Sequence, residues 1–86
     1  MKIARTSRFA KAWKELDEPQ RELARKALAN LVGDLRYPSL RVRKVQGVEG
    51  IWEARVSRSL RLTFQIEADT IALRNIGSHD ETLDKP

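Results

Sequence analysis

The strongest pattern in the chain is an alternation of apolar and polar residues over positions 51–76. Two short polar turns interrupt it, at residues 57–59 and at residues 68–69. Alternation with a period of two, bounded by turn residues, is typical of β-strands. The pattern therefore predicts three strands that form an antiparallel meander.

The alternation sorts the side chains of these strands onto two faces, because successive residues of a strand point to opposite sides. The apolar face, which needs a cover, carries Trp52, Ala54, Val56, Leu60, Leu62, Phe64 and Ile66. The opposite face is polar and carries Glu53, Arg55, Arg61, Thr63 and Gln65. Since strands hold side chains more rigidly than loops do, the polar face is a candidate functional site.

Two amphipathic helices are predicted before the strands. The first should begin after Ser7 as its N-cap, and its apolar stripe consists of Phe9, Trp13 and Leu16. The second should begin near Pro19, a residue suited to a first helical turn, and close at Gly33 as the C′ residue. Its apolar stripe consists of Leu23, Ala27, Leu28 and Leu31. The short connection between the helices predicts an antiparallel hairpin.

The expected fold follows from the need of each apolar surface for a partner. Residues 41–46 also alternate and are predicted to add a strand, and residues 2–5 are predicted to form a short N-terminal strand. We therefore expect an α+β fold, in which the N-terminal strand and the helical hairpin pack on one face of a four-stranded antiparallel sheet. The polar face should stay open to solvent, and residues 77–86 should leave the last strand as a polar tail.

Composition narrows the class of protein. The chain has 86 residues and is expected to form one domain over positions 1–86. It has no cysteine, which excludes disulfides and thiolate metal sites, and neither a metal nor a cofactor is expected. The sequence contains neither an apolar signal core nor a run of about 20 apolar residues, so we expect a cytoplasmic protein.

The net charge of +5 is unevenly distributed. Residues 36–61 contain seven basic and two acidic side chains, whereas residues 62–86 contain two basic and five acidic ones. A basic middle region favours the docking of a polyanion, and the alternative is ordinary surface charge. The residues expected to contact an RNA backbone are Arg41, Arg43, Lys44 and Arg58.

Three short motifs follow one another along the strands. They are G-x-W-E-x-R-V from Gly50 to Val56, R-L-T-F from Arg61 to Phe64, and I-G-S-H-D-E from Ile76 to Glu81. In a small basic chain with a strand, two helices and four further strands, they resemble the RelE/ParE superfamily of bacterial toxins from type II toxin–antitoxin pairs. The resemblance covers nearly the whole chain.

The resemblance implies one of two activities. In the RelE branch, it implies a ribosome-dependent endoribonuclease that cleaves messenger RNA without a metal and so inhibits translation. In the ParE branch, it implies an inhibitor of DNA gyrase without nuclease activity. A third interpretation is a degenerate member that only binds RNA or a protein. The resemblance also implies a cognate antitoxin, whose acidic-to-amphipathic segment wraps the helices and the basic face, and through which alone homo-oligomers would form.

The chemistry of RNA cleavage defines the candidate catalytic residues. Attack of the 2′-hydroxyl on its own phosphate needs a base, cations that hold the oxyanion, and an acid for the leaving oxygen. Arg61 and Arg55 can pair with phosphate oxygens. His79 is the only imidazole and suits proton transfer, and Glu53 can act as the base or orient an arginine. The alternatives are a surface pair between Arg61 and Glu53 and a solvated His79.

The resemblance supports these residues unevenly. It implies that Arg61 is the hairpin arginine used against the scissile phosphate, and that His79 occupies the position of a catalytic His or Arg. Leu83 departs from the pattern, because many members have Tyr or Phe near that point. The departure leaves the general acid unassigned and makes Leu83 a small hydrophobic plug. Trp13 and Trp52 are expected in the core.

Overall fold

A five-stranded mixed sheet forms the centre of the fold in the computed structural model, which describes residues 1–86. The strands are β1 (Lys2–Arg5), β2 (Arg43–Lys44), β3 (Trp52–Arg55), β4 (Leu60–Glu67) and β5 (Thr70–Ser78). The helices are α1 (Ser7–Lys14), α2 (Glu18–Gly33) and α3 (His79–Asp84), with a 3₁₀ turn at Pro38–Leu40. The order of the strands across the sheet is β1-β5-β4-β3-β2.

Strands β3, β4 and β5 confirm the predicted antiparallel meander. Trp52 lies opposite Phe64, and Leu62 lies opposite Ile76. A β-bulge interrupts the pairing of β4 with β5, where Arg74 is the extra residue between Leu73 and Asn75. The bulge shifts the alternation of β5 by one position, so that both Leu73 and Ile76 are buried in the same core.

The prediction of a four-stranded antiparallel sheet was wrong at both edges. Strand β1 belongs to the sheet and runs parallel to β5, with Ile3 opposite Ile71. Parallel strands require a long crossover connection, and the helices that follow β1 begin that connection on one face of the sheet. Strand β2 is shorter than residues 41–46, because Arg41 has a φ of 46° at the end of the 3₁₀ turn. A left-handed residue of this kind does not continue a strand.

The first helix begins one residue earlier than predicted, since its N-cap is Thr6 and not Ser7. The Thr6 hydroxyl accepts a hydrogen bond from the Phe9 N–H at 3.1 Å and donates one to the Arg74 carbonyl at 3.1 Å. The Thr6 side chain therefore provides a partner for a free N–H group in the first turn of α1 and connects this helix to the bulged part of β5.

The second helix has the predicted start but a different end. Asp17 and Gln20 form a reciprocal capping box, and Pro19 lies in the first turn. Gly33 is the last helical residue and not the C′ residue, because the chain leaves the helix through Asp34 in an extended conformation. That exit needs no left-handed residue, so the glycine has no special conformational role.

The helices and the apolar face of the sheet share one core, as predicted. Its buried members include Phe9, Leu16, Ala24, Ala27, Leu31, Ala54, Leu60, Leu62, Phe64, Ile71, Leu73 and Ile76. Trp13 and Trp52 are partly buried against it. The predicted stripe of α2 needs one correction, because Ala24 faces the core while Leu23 is 43% exposed. Ile66, at the end of the apolar face, also projects from the core and is 37% exposed.

The predicted polar tail is instead a short helix, α3, which packs on β4 and β5. Ser78 and Glu81 form a capping box at its start, and Thr82 is fully buried. The polar face is therefore not open along its length, since Glu53 and Thr63 are buried. None of the three helices is long and apolar enough to cross a membrane.

Candidate functional site

A groove of about 440 Å³ lies on the polar side of the sheet, between β2, β3 and α3. We refer to it as the polar groove. Its walls are formed by Arg43, Lys44, Val45, Gln46, Glu53, His79 and Leu83. It brings together an imidazole, a carboxylate and the Arg43 guanidinium from three separate parts of the chain. Lys44 also borders the groove, but its Nζ lies 5.5 Å from the centre of the Trp52 ring, toward the other face of the sheet.

The Glu53 carboxylate is held by Arg43 on the neighbouring strand. The two residues lie directly opposite each other in the pairing of β2 with β3. Glu53 Oε1 accepts a hydrogen bond from Arg43 Nε at 3.3 Å and lies 3.2 Å from Arg43 Nη2. The glutamate side chain is only 4% exposed, whereas that of the arginine is 64% exposed. The pair thus fixes a cation at the rim of the groove over a buried anion.

Two buried oxygens of the same region have no hydrogen-bond partner, Glu53 Oε2 and Thr63 Oγ1. Glu53 and Thr63 are opposite residues of β3 and β4, so the two atoms belong to one polar layer of the sheet. Leaving a buried polar atom unsatisfied costs roughly 1–3 kcal/mol. Such atoms are rare in folded proteins and mark a functional site more often than a random position does.

His79 enters the groove as the first residue of α3. Its side chain is 48% exposed, and its Nδ1 atom lies 3.6 Å from the Asp80 carboxylate. The capping box determines where this helix begins, since the Ser78 N–H donates to Glu81 Oε1 at 3.0 Å and the Glu81 N–H donates to the Ser78 hydroxyl at 3.2 Å. Hydrogen bonds from the Ser78 backbone and hydroxyl lower the pKa of Glu81 below its usual range. The capping box therefore positions the imidazole.

Arg61 lies on the polar side of the sheet but is not among the residues that line the polar groove. Its Nη1 donates hydrogen bonds to the carbonyls of Ser57, Arg58 and Leu60, the last at 3.1 Å. The guanidinium thereby closes the turn between β3 and β4. The alternative of a surface pair between Arg61 and Glu53 is not found, because Glu53 pairs with Arg43.

The remaining predicted arginines line a second groove, beside α2. Arg41, Arg55 and Arg58 border it together with Lys26 and Asn30 of the helix. The predicted site is therefore divided. Glu53, His79 and Arg43 meet in the polar groove, while Arg41, Arg55 and Arg58 form a basic surface along the second groove.

Gln46 is a member of the polar groove that the sequence did not indicate. It ends the predicted strand 41–46 but lies after β2 in an irregular segment of the structure, and no motif singles it out. Leu83 also lines the groove and is half-exposed, so the predicted plug lies one helical turn from His79.

Comparison with known proteins gives different results for the sequence and for the fold. No protein-family model matches the sequence, and no curated protein matches it. Solved structures do match. RelE in the RelB–RelE antitoxin–toxin complex of Methanococcus jannaschii has a TM-score of 0.76 at 17% identity, with 96% of this chain and 99% of that chain covered.

Two bacterial structures give the same result. The intact RelBE toxin–antitoxin complex of E. coli matches with a TM-score of 0.72 at 20% identity, covering 90% of this chain and 94% of that chain. A metal-bound toxin from Helicobacter pylori matches with a TM-score of 0.76 at 24% identity, covering 94% and 97%. The resemblance to RelE-type toxins is thus confirmed at the level of the fold. The chain has the fold of the toxins found in RelBE toxin–antitoxin complexes.

Proposed function

We propose that the protein is the toxin of a type II toxin–antitoxin pair and cleaves messenger RNA on the ribosome. The observation that carries the proposal is the polar groove, in which the half-exposed His79 imidazole shares one surface with the Arg43 guanidinium, held by the buried Glu53 carboxylate. A carboxylate, an imidazole and cations are the groups that metal-free RNA cleavage requires. The RelE-type fold supports the same activity.

In the proposed reaction, the 2′-oxygen forms a bond to the adjacent phosphorus and the bond from phosphorus to the 5′-oxygen breaks. The His79 imidazole accepts the proton of the 2′-hydroxyl and, once protonated, gives a proton to the leaving 5′-oxygen, while the buried Glu53 carboxylate orients Arg43. Arg43 holds the charged phosphate oxygens during the step. The products are a 2′,3′-cyclic phosphate and a 5′-hydroxyl.

The second groove extends the path of the RNA in this proposal. Arg41, Arg55 and Arg58 contact phosphates next to the cleaved one, and Arg61 joins them when its guanidinium leaves the turn carbonyls. Few groups in a chain of this size can orient a substrate. Held on the ribosome, the messenger RNA would arrive already positioned, which removes much of the entropic cost of the reaction.

A cognate antitoxin is the proposed protein partner. Its support is that the structural neighbours from M. jannaschii and E. coli were solved as toxin–antitoxin complexes. An acidic partner would also neutralise the basic residues around both grooves.

The test of the proposed function is primer extension on messenger RNA translated in the presence of the purified protein. New 5′ ends within codons are expected for the wild type. His79→Ala should reduce cleavage at least about 100-fold, because general acid–base catalysis contributes a factor of this size. Glu53→Gln should also reduce cleavage, because it weakens the ion pair that orients Arg43. Glu49→Gln, an exposed change in the turn between β2 and β3, is the matched control and should cleave normally.

Two results would contradict the proposal. Intact messenger RNA together with accumulated gyrase–DNA cleavage complexes would identify a ParE-like gyrase inhibitor. Intact messenger RNA without such complexes would identify a non-catalytic binding protein. Circular dichroism of each variant separates a lost catalytic group from a lost fold.

A further inference from the structure

The residues that follow α3 return to strand β5, where two adjacent side chains hold them. Asn75 Nδ2 donates a hydrogen bond to the Lys85 carbonyl at 2.9 Å, and Arg74 Nε donates one to the Pro86 main-chain oxygen at 3.1 Å. We refer to Arg74 and Asn75 as the bulge clamp. Asn75 is only 8% exposed, and its Oδ1 accepts a hydrogen bond from the Ile76 N–H at 2.9 Å. One donor contact and one acceptor contact thus fix the orientation of its amide group.

The β-bulge brings both side chains of the clamp to the same side of the sheet. Two consecutive side chains of a regular strand would point to opposite faces, and a bulge re-aims one of them. Here Asn75 lies opposite Thr63, and Arg74 Nη1 donates a hydrogen bond to Gln65 Oε1 at 3.1 Å. Both therefore reach the polar side of the sheet, where α3 packs on β4 and β5. The bulge is itself anchored, since the Thr6 hydroxyl donates to the Arg74 carbonyl.

The clamp is connected to the polar groove by a row of residues across the sheet. The strand register aligns one residue from each of β2, β3, β4 and β5, namely Arg43, Glu53, Thr63 and Asn75. Arg43 lies at the rim of the polar groove, and Asn75 lies at the other end of the row. Since directly opposite residues on one face of a sheet are neighbours, the clamp and the groove share one rigid surface.

Helix α3 depends on contacts at both of its ends. It has six residues, and a helix this short does not persist without tertiary contacts. The capping box at Ser78 fixes its first turn, and the bulge clamp fixes the chain directly after its last turn. His79 in the first turn and Leu83 in the last turn both line the polar groove. A helix held at Ser78 alone would unwind from its other end, and the imidazole would lose its fixed direction.

We infer that Arg74 and Asn75 are positioning residues, which hold α3 so that His79 faces the polar groove. The inference rests on the proposed function, in which the His79 imidazole transfers the protons. Neither side chain of the clamp lines the polar groove, so both act through α3 and not by contact with the reacting RNA. Catalysis depends steeply on the placement of the acting group, so a loosened helix should slow the reaction without weakening the binding of RNA.

The experiment compares two variants of the clamp with a matched control. Arg74→Gln removes the guanidinium, and Asn75→Asp replaces the donor to Lys85 while it keeps the shape of the side chain. Arg21→Gln is the control, because Arg21 also donates from its guanidinium to two main-chain carbonyls, those of Trp13 and Lys14, at 3.2 and 2.9 Å. The control removes the same charge and comparable hydrogen bonds where α1 meets α2, outside the polar groove. Urea unfolding should therefore show similar losses of stability for the two arginine variants.

Two measurements report on α3 without the need for cleavage. His79 is the only histidine, so its two ring C–H signals are identified directly in a proton NMR spectrum. In both clamp variants these signals should move toward their positions in the urea-unfolded protein at the same pH. The amide hydrogens of α3 should exchange about tenfold faster, the factor expected for the loss of one hydrogen bond. Arg21→Gln should leave the His79 signals and the exchange of α3 unchanged.

The cleavage assay separates positioning from overall stability. With increasing amounts of ribosome-bound messenger RNA, the clamp variants should lower kcat about tenfold at an unchanged KM, whereas Arg21→Gln should keep both constants. A wild-type kcat in the clamp variants would overturn the inference, as would equal exchange of α3 in the clamp variants and the wild type. So would a loss of kcat in Arg21→Gln as large as in Arg74→Gln. If the wild type cleaves no RNA, faster exchange of α3 and moved His79 signals in the clamp variants would still support the clamp and contradict only the proposed function.

Discussion

At the scale of single residues, Glu53 and Thr63 share an uncommon environment. They lie opposite each other on β3 and β4, and each keeps one buried oxygen without a hydrogen bond. The two oxygens differ in what they can do, because the carboxylate can accept a proton whereas the hydroxyl only destabilises the fold. A protein optimised for stability alone would contain neither.

Thr63→Val tests the cost of the unpartnered hydroxyl. The change removes a buried polar atom without a partner and keeps the shape of the side chain, so the free energy of unfolding should rise by about 1 kcal/mol. Thr82→Val is the matched control, because Thr82 is also fully buried but its hydroxyl donates to the Ser78 and His79 carbonyls. That variant should lose about 1 kcal/mol. Urea unfolding measures both, and equal effects of the two changes would contradict the assignment.

At the scale of elements, the sequence predicts the helices and strands that show a periodic pattern of apolar residues. The meander and the two helices are long enough for alternation or a helical stripe to be visible. The pairing of β1 with β5 is not visible, since the alternation of Lys2 to Arg5 does not say which edge the strand joins or in which direction. Helix α3 has only six residues, too few to be stable alone, and depends on the burial of Thr82.

The capping sequence of α3 was nevertheless present in the chain. Ser78 is followed three residues later by Glu81, the spacing of a capping box. Recognising it would have placed His79 at a helix start over the sheet and removed the expectation of an open polar face. The ion pair of Arg43 with Glu53 could not be predicted, because it depends on the register of a two-residue strand.

The capping box of α3 makes a prediction about acid. Hydrogen bonds from Ser78 lower the pKa of Glu81 in the folded protein. The charged Glu81 carboxylate therefore stabilises α3 fully at pH values above the usual pKa of a glutamate, about 4.3. This stabilisation is lost as the pH falls through the lowered value. Ser78→Ala removes the hydroxyl, and the pKa of Glu81 should rise toward its usual range in an NMR titration. Ser59→Ala, in the turn between β3 and β4, should leave that pKa unchanged, and an equal pKa in all three proteins would rule out the capping contribution.

At the scale of the whole molecule, the two edges of the sheet differ in their surroundings. Strand β2 borders the polar groove, whereas β1 forms the opposite edge. Both strands carry exposed basic residues, yet only those of β2 lie beside the proposed reaction. The position of the charge, and not the total of +5, therefore decides where a polyanion is proposed to bind.

A salt titration tests this difference between the edges. Each phosphate contact to single-stranded RNA contributes about −0.7 to the slope of log K against log salt. Arg43→Gln, on β2, should make the slope less negative by about this amount for a single-stranded RNA. Lys2→Gln, on β1, is the control and should keep the wild-type slope. Equal slopes for the wild type and both variants would place the RNA elsewhere on the surface.

The parallel pairing of β1 with β5 also determines when the fold can be completed. Residues at the start of the chain pair with Thr70 to Leu73, near its end. Synthesis proceeds from the N-terminus, so β1 must wait until β5 has been made before it finds its neighbour. His79 lies still later in the chain. A nascent chain therefore has no assembled polar groove until His79 has been synthesised.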